Sequence, residues 1–206
     1  MILESGLVTV LRDADRYATL AINDFDGAFT DAVMPWLSNR FVWIPLYLLL
    51  FWFIWKKVGT RKAMVILLAV ALCVLAIDQF ANLIKHSVQR FRPCWDSYMT
   101  DNGLKILEKK GGKYGFFSAH AATTAGVAMA VLYFLRTLWS GGNGRYRILV
   151  ALFAVWVLAI SISRVYVGKH FLGDIIVGVI VEMIIARAIS WLVGWIVTKY
   201  FPKFVG

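Results

Sequence analysis

Charge is scarce in this chain. Asp, Glu, Lys and Arg make up 17% of its 206 residues, while 60% are hydrophobic and 15% aromatic. A soluble domain is nearer a quarter charged, and a chain of this length could not hide so much apolar surface. Proline numbers 4, glycine 16 and cysteine 2, which excludes disordered, collagen-like and disulfide-scaffold classes. Cys73 and Cys94 fall in different surroundings, one mid-membrane and one in a loop, so no disulfide is expected. No cleavable leader is expected: Met1 to Leu11 has no basic start, contains Glu4 and offers no small-residue cleavage site. The first membrane helix is therefore expected to target the protein. What remains is a single-domain integral membrane protein over residues 1–206. Its net charge of +10 is expected to serve topology and acidic lipid, not nucleic acid.

Five segments are apolar enough to span a bilayer: 41–55, 63–84, 118–139, 148–163 and 172–198. Pro45 sits in the first turns of the first, where it is tolerated. Ser-Gly-Gly-Asn-Gly at 140–144 marks the turn between the third and fourth. The fold class is thus all-α, a bundle of about five transmembrane helices over 41–198. Residues 1–40 differ. Glu4, Asp13, Asp15, Asp24, Asp26 and Asp31 outnumber Arg12, Arg16 and Arg40. Leu11, Tyr17, Leu20, Ala21, Phe25, Phe29, Val33 and Trp36 form a helical stripe between them. One or two amphipathic helices are expected there, lying in the interface or packed on the bundle.

Charge sets the orientation. Lys56, Lys57, Arg61 and Lys62, then Arg136, Arg145 and Arg147, then Lys199 and Lys203 form three acid-free basic segments. Five crossings put all three on one side, and the positive-inside rule makes it cytoplasmic. Residues 85–117 then face outward although they carry seven Lys or Arg against three acids. Those cations need a reason other than topology.

Three clusters fall on the outward face: Lys85 to Pro93 with Arg92, Gly115 to His120 with Ser118 and Ala119, and Ser163 to Asp174 with Arg164 and His170. Lys85, Arg92 and Arg164 can converge on one tetrahedral oxyanion, and Arg can do so bidentately. Ser118, Ala119 and His120 open a helix, where free N–H groups favour an anion. Two histidines supply a nucleophile or base and an acid near neutral pH. Asp174 follows His170 by four residues, so on a helix it can accept from one ring nitrogen and leave the other free to attack. No compact acid or His/Cys set suggests a metal, and no cofactor is expected. The chemistry indicated is metal-independent phosphoryl transfer through a covalent histidine.

At these residues the sequence resembles the type 2 phosphatidic acid phosphatase superfamily, in its membrane-integrated bacterial lipid phosphatase branch. The signature K-x6-R-P meets Lys85, Arg92 and Pro93; P-S-G-H meets Ser118 and His120; S-R-x5-H-x3-D meets Ser163, Arg164, His170 and Asp174. Phe117 and Ala119 stand where Pro and Gly are usual, and neither change removes a side-chain ligand. The resemblance implies that His170 attacks phosphorus, Asp174 holds its imidazole, and His120 protonates the leaving oxygen and then activates water. It implies that Lys85, Arg92, Ser118, Arg164 and the Ala119 amide bind the equatorial oxygens. It further implies a lipid phosphate substrate, the bilayer as the only evident partner, and a bacterial inner membrane with the site facing outward. Soluble relatives that bind vanadate are peroxidases, and five membrane helices argue against that reading. The rivals are a phosphotransferase and a non-catalytic lipid-binding or transport protein, and the intact histidine pair speaks against the second.

Other residues are weighed more evenly. Pro93, Ser163 and Asp78 are candidates for the shell behind the phosphate ligands, Asp78 because it lies two turns before Lys85 inside an apolar helix. Glu182 is read as a structural group, neutral or paired with Arg187. His86 and Arg90 flank the first cluster and read as solvated interface, ahead of the alternative that they stand behind the phosphate ligands. Cys94 is expected within reach of an impermeant thiol reagent. Lys105, Lys109, Lys110 and Lys113 suggest a second anionic group beside the scissile one. Undecaprenyl diphosphate is therefore ranked first, ahead of phosphatidylglycerol phosphate, a lipid A phosphate and phosphatidic acid.

Overall fold

The computed structural model describes residues 6–25 and 27–204. Glu4 and Asp26 of the expected amphipathic segment lie outside the described residues. The chain begins with α1 (Gly6–Asn23) and α2 (Ala28–Ser38), followed by a 3-10 turn at Arg40–Trp43. Then come α3 (Ile44–Val58), α4 (Thr60–Val88), the short α5 (Ser97–Asp101), α6 (Ala119–Leu138), α7 (Gly142–Tyr166) and α8 (Leu172–Tyr200). Among the described residues no strand occurs beyond one isolated bridge, Phe91 to Tyr114. Five helices are long and apolar enough to cross a membrane: α3 with its preceding turn, α4, α6, α7 and α8. The fold is all-α and multi-pass, as the hydropathy pattern indicates.

The helices outrun the apolar windows. α4 continues through Lys85 to Val88, and α7 starts at Gly142, before Arg145 and Arg147. Hydropathy marks the lipid-facing length, whereas the backbone ladder runs on into polar turns until something stops it. Gln89, at φ 51, stops α4 in the left-handed region.

α6 is the central helix, packed against α4, α7 and α8. Of its most apolar window 61% is buried, against 6% for α3 at the rim. Its sequence allows this. Ala121, Ala122, Ala125, Gly126, Ala128 and Ala130 keep its surface thin, so neighbouring backbones approach closely. Gly126 lies where α8 brings Glu182 against α6; a Cβ there would overlap the carboxyl group. Glu182 is fully buried with both oxygens unpartnered. The expected pairing with Arg187 is not made, since Arg187 lies over the Tyr133 ring, 4.7 Å from its centre.

The two N-terminal helices pack on the bundle, α2 against α7 and α1 against α7 and α8. Of the expected stripe, Leu11, Tyr17, Phe25, Phe29 and Trp36 stay exposed, while Leu20 and Val33 are partly buried, so the segment both packs and faces outward. At the opposite end the first basic turn meets the basic tail, where Arg61 donates to the Lys203 carbonyl. Both cysteines are free, and Cys94 is fully buried rather than accessible in its loop.

Candidate active site

Four short stretches meet at the end of the bundle where α1 and α2 lie. The first leaves α4 after Lys85. Arg92 N–H donates to the Lys113 carbonyl and Gly115 N–H to the Arg90 carbonyl, each at 2.9 Å. These bonds lay the Arg90–Pro93 stretch along the segment that enters α6. Gly115 is required for that approach, because a Cβ there would lie 2.7 Å from Arg92 Cγ. Arg92 Nε donates to the Tyr114 carbonyl at 3.1 Å, which fixes the guanidinium and leaves its two terminal nitrogens for a ligand.

The second stretch is the start of α6. Ser118 is its N-cap residue, yet its side chain makes no cap bond. Its Oγ is buried without a partner, an arrangement that costs about 1–3 kcal/mol unless a ligand supplies one. The Ser118 N–H donates to the Asp174 carbonyl at 3.1 Å, so α6 and α8 are tied at their first turns. The Ala119 and His120 amides follow as the first two of the helix, whose N–H groups have no partner within it. The Phe116–Phe117 peptide before it is cis.

The third stretch is the end of α7. Gly168, at φ 77, reverses the chain, and the Lys169 and His170 N–H groups return to the Arg164 carbonyl at 3.1 and 3.2 Å. Arg164 and His170 are thereby held on one turn. Arg164 bonds to the Ser38 hydroxyl at the end of α2, and its Nε is buried without a partner.

The fourth is the start of α8. The Phe171 N–H donates to Asp174 Oδ2 at 3.1 Å, half of a capping box. The same Oδ2 lies 3.6 Å from His170 Nδ1, and the two side chains are 0% and 3% exposed. That distance is an ion-pair contact, longer than a formed hydrogen bond, and His170 Nδ1 has no hydrogen-bond partner. Catalytic contacts of this kind commonly tighten when substrate binds. Burial first, then the charges of Arg164, Arg92 and Lys85, push the His170 imidazole well below its ordinary value, against a backbone contact at Gly115. The ring is therefore neutral at neutral pH, as a nucleophile must be. His120 stands in the first turn of α6, two residues after Ser118.

So the structure brings Lys85, Arg92, Ser118, Ala119, His120, Arg164, His170 and Asp174 together from four separate segments. It separates three others. Ser163 spends its hydroxyl on the Ile160 carbonyl at 2.7 Å within its own helix. Pro93 is buried and opens a 3-10 turn. Asp78 is exposed on the flank of α4, below Lys85, and makes no hydrogen bond or ion pair among the described residues. Of the three, only Asp78 keeps a link to the site, since its carboxylate still acts on the Lys85 charge from two turns below. Among the described residues, no group of three His, Cys, Asp or Glu could hold a metal ion.

The whole constellation lies inside the stretch 62–204, which matches the PAP2 superfamily. The chain belongs to that superfamily. It is 27% identical over 177 residues to the lipid A 4'-phosphatase of Bacteroides thetaiotaomicron, covering 85% of this chain and 75% of that protein. It is 28% identical over 183 residues to the lipid A 4'-phosphatase of Porphyromonas gingivalis, covering 85% and 71%. Among solved structures it resembles the transmembrane PAP2-type phosphatidylglycerolphosphate phosphatase from Bacillus subtilis, with TM-score 0.67 and 19% identity over 93% of this chain and 88% of that one. Aquifex aeolicus LpxE is similar as well, with TM-score 0.59 and 21% identity over 85% and 93%.

Several residues of this PAP2 centre were not singled out by the sequence. Arg90 is paired, not solvated: it donates to Asp174 Oδ1 at 2.8 Å and to Asp15 Oδ2 at 2.6 Å, and lies 4.0 Å from the centre of the Phe171 ring. Asp15 Oδ1 accepts from the Gly173 N–H at 2.7 Å, and Thr19 Oγ1 from the Leu172 N–H at 3.0 Å. α1 thus caps the first turn of α8 from another helix. Asn23 reaches the Tyr166 carbonyl at 2.6 Å and both backbone groups of Lys105. Nothing in local sequence marks such long-range caps; only the excess of acids in residues 1–40 hinted at them. Three of the four loop lysines have other partners. Lys105 approaches Asp31 at 3.8 Å, and Lys110 and Lys113 sit over the Trp95 ring. The cation that does enter the site is Lys169.

Proposed function

We propose that the protein is a membrane phosphatase that removes a phosphate from a lipid A-type phosphorylated glycolipid, through a phosphohistidine on His170. The observation that carries the chemistry is the buried His170 beside Asp174, with Lys85, Arg92 and Arg164 as the surrounding cations. The substrate class is supported by the identity to two lipid A 4'-phosphatases over most of the chain.

In the first step the free ring nitrogen of His170 attacks phosphorus, the P–N bond forms and the P–O bond to the lipid breaks. His120, which takes up a proton once the phosphate dianion offsets the cations around it, delivers that proton to the leaving oxygen. In the second step His120 takes a proton from water, the water oxygen bonds to phosphorus, and the P–N bond breaks to release inorganic phosphate. Asp174 stabilises the charge on His170 throughout. Lys85, Arg92, Arg164, Ser118 and the Ala119 amide hold the equatorial oxygens as charge builds on them. No metal or other cofactor takes part in this scheme. The site faces the periplasmic side of a bacterial inner membrane, opposite the three basic segments.

A lipid tail has somewhere to lie. An apolar groove of ≈ 330 Å³ between α3, α4 and α6 runs from Val131 up to Thr123, one turn after His120. Undecaprenyl diphosphate loses its first rank, because the loop lysines that favoured it are dispersed.

The test is phosphate release by the purified protein from lipid A, phosphatidylglycerol phosphate, undecaprenyl diphosphate and phosphatidic acid, with and without excess chelator. Highest kcat/KM on lipid A with chelator harmless is expected. A higher kcat/KM on any of the other three replaces the substrate class, and loss of turnover in chelator replaces the metal-free scheme.

A further inference from the structure

Lys169 stands out once the loop lysines are set aside. Its side chain is 8% exposed although it carries a full charge. Burial pushes its ammonium down, and the Glu108 carboxylate opposes that shift. Its Nζ also contacts the Lys109 carbonyl. Glu108 Oε2 lies 3.8 Å from Lys169 Nζ and 3.6 Å from an Arg164 terminal nitrogen. One carboxylate oxygen therefore sits between two buried cations of the same turn.

Those contacts are slack. A charge-assisted N–H to O bond closes to about 2.7–2.9 Å when it is well formed. On the same Arg164 guanidinium, Nε is buried without any partner. Gly111 gives a further marker: a Cβ there would lie 3.6 Å from both an Arg92 terminal nitrogen and Lys169 Nζ, so those two cations flank one spot. Lys85, Arg92, Arg164 and Lys169 thus face a region where Glu108 brings a single negative charge. A phosphate brings nearly two charges and three strong acceptor oxygens.

Glu108 is also placed to leave. It lies on the irregular stretch between α5 and α6, with its side chain 25% exposed. The backbone beside it is fastened: Cys94 Sγ contacts the Lys110 carbonyl, and Trp95 Nε1 donates to the Gly111 carbonyl at 3.3 Å. The carboxylate can swing to solvent while the main chain stays.

We propose that Lys169 is a fourth cation of the phosphate cradle, and that Glu108 is a resident carboxylate which occupies the place of a phosphate oxygen until an anionic substrate displaces it. This rests on the reading of the site as a phosphate centre. Glu108 then acts as an internal competitor: it keeps buried cations paired until substrate arrives and sets how tightly a phosphate must bind to enter.

Orthovanadate, which takes the five-coordinate geometry of phosphorus in flight, is the probe, used on full-length protein in detergent. Glu108→Gln should tighten vanadate inhibition about tenfold and enlarge the rise in Tm that inorganic phosphate produces, since the competitor is gone. Glu108→Asp keeps the counter-charge but withdraws it by one methylene, and should fall between wild type and Gln. Lys169→Met should weaken vanadate about tenfold or more. Unchanged inhibition in both Glu108 variants would overturn the inference, and so would weaker inhibition, which would make Glu108 a support for Arg164 in the bound state. The phosphate-site reading fails separately: wild type would then resist vanadate altogether, and this inference would fall with it.

Discussion

Arg90 joins Asp174 to Asp15: its guanidinium reaches one carboxylate at 2.8 Å and the other at 2.6 Å. Through it the first helix of the chain is wired to the carboxylate that faces the proposed nucleophile. Asp174 has two oxygens, and Arg90 takes the one that His170 does not face. The imidazole thus meets a carboxylate whose rotation is fixed from behind.

Arg90 is bonded to Asp174 and Asp15 and lies over Phe171, so its loss should act on the reaction through the position of Asp174. Arg90→Gln should lower kcat about 10- to 100-fold with KM little changed. Arg90→Lys keeps one charge and should recover part of that loss. Asp15→Asn should cost less, and little more once Arg90 is already Gln. A rise in KM with kcat intact would show Arg90 to be a substrate ligand instead.

The neutral state of His170 has a pH consequence. The unfolded imidazole protonates near about pH 6.5. In the folded protein its value is depressed, so between the two values the unfolded chain holds the extra proton. The stability this group contributes is therefore full above about pH 6.5 and falls as pH drops through that range. Ring ¹⁵N shifts of the ligand-free protein should report a neutral imidazole at pH 6. A midpoint at or above 6.5 would contradict the burial argument.

Close packing of α6 and α8 predicts a size-compensation effect. Gly126→Val should destabilise the protein by about 1–3 kcal/mol, because Glu182 fills the space a side chain would need. Glu182→Ala in the same chain should restore part of that loss, and a double-mutant cycle by thermal unfolding reads the coupling. Strict additivity would mean that the two groups do not share the space.

Orientation needs reporters other than Cys94, which is buried. Gly112 and Gly144 have open space where a Cβ would point, and they lie at opposite ends of the bundle. In intact cells an impermeant thiol reagent should label Gly112→Cys and miss Gly144→Cys. The reverse pattern would put the chemistry on the cytoplasmic side.

Much of this was legible in the sequence, for definite reasons. Membrane spans announce themselves because lipid demands apolar residues in unbroken runs, so all five were found, four of them with a shortened end. Lys85, Arg92, His120, Arg164, His170 and Asp174 carry chemistry at fixed spacings, so their convergence could be anticipated. Arg90, Asp15, Thr19, Lys169 and Glu108 could not be assigned, because their roles depend on partners about 60 to 160 positions away or on which way a loop folds. Ser163 misled in the opposite sense: a polar residue in a helix can bond to its own turn, and spacing does not say so.

The claim that His170 is the nucleophile has a direct test. The purified enzyme would be mixed with lipid A carrying ³²P at its phosphates, quenched in alkali within the first turnovers, digested and mapped. Acid-labile, alkali-stable label should appear on the peptide that contains His170 and be absent from the His170→Ala protein, which should also have lost nearly all turnover. Label on another residue, or a His170→Ala enzyme that keeps a substantial part of its rate, would contradict the assignment.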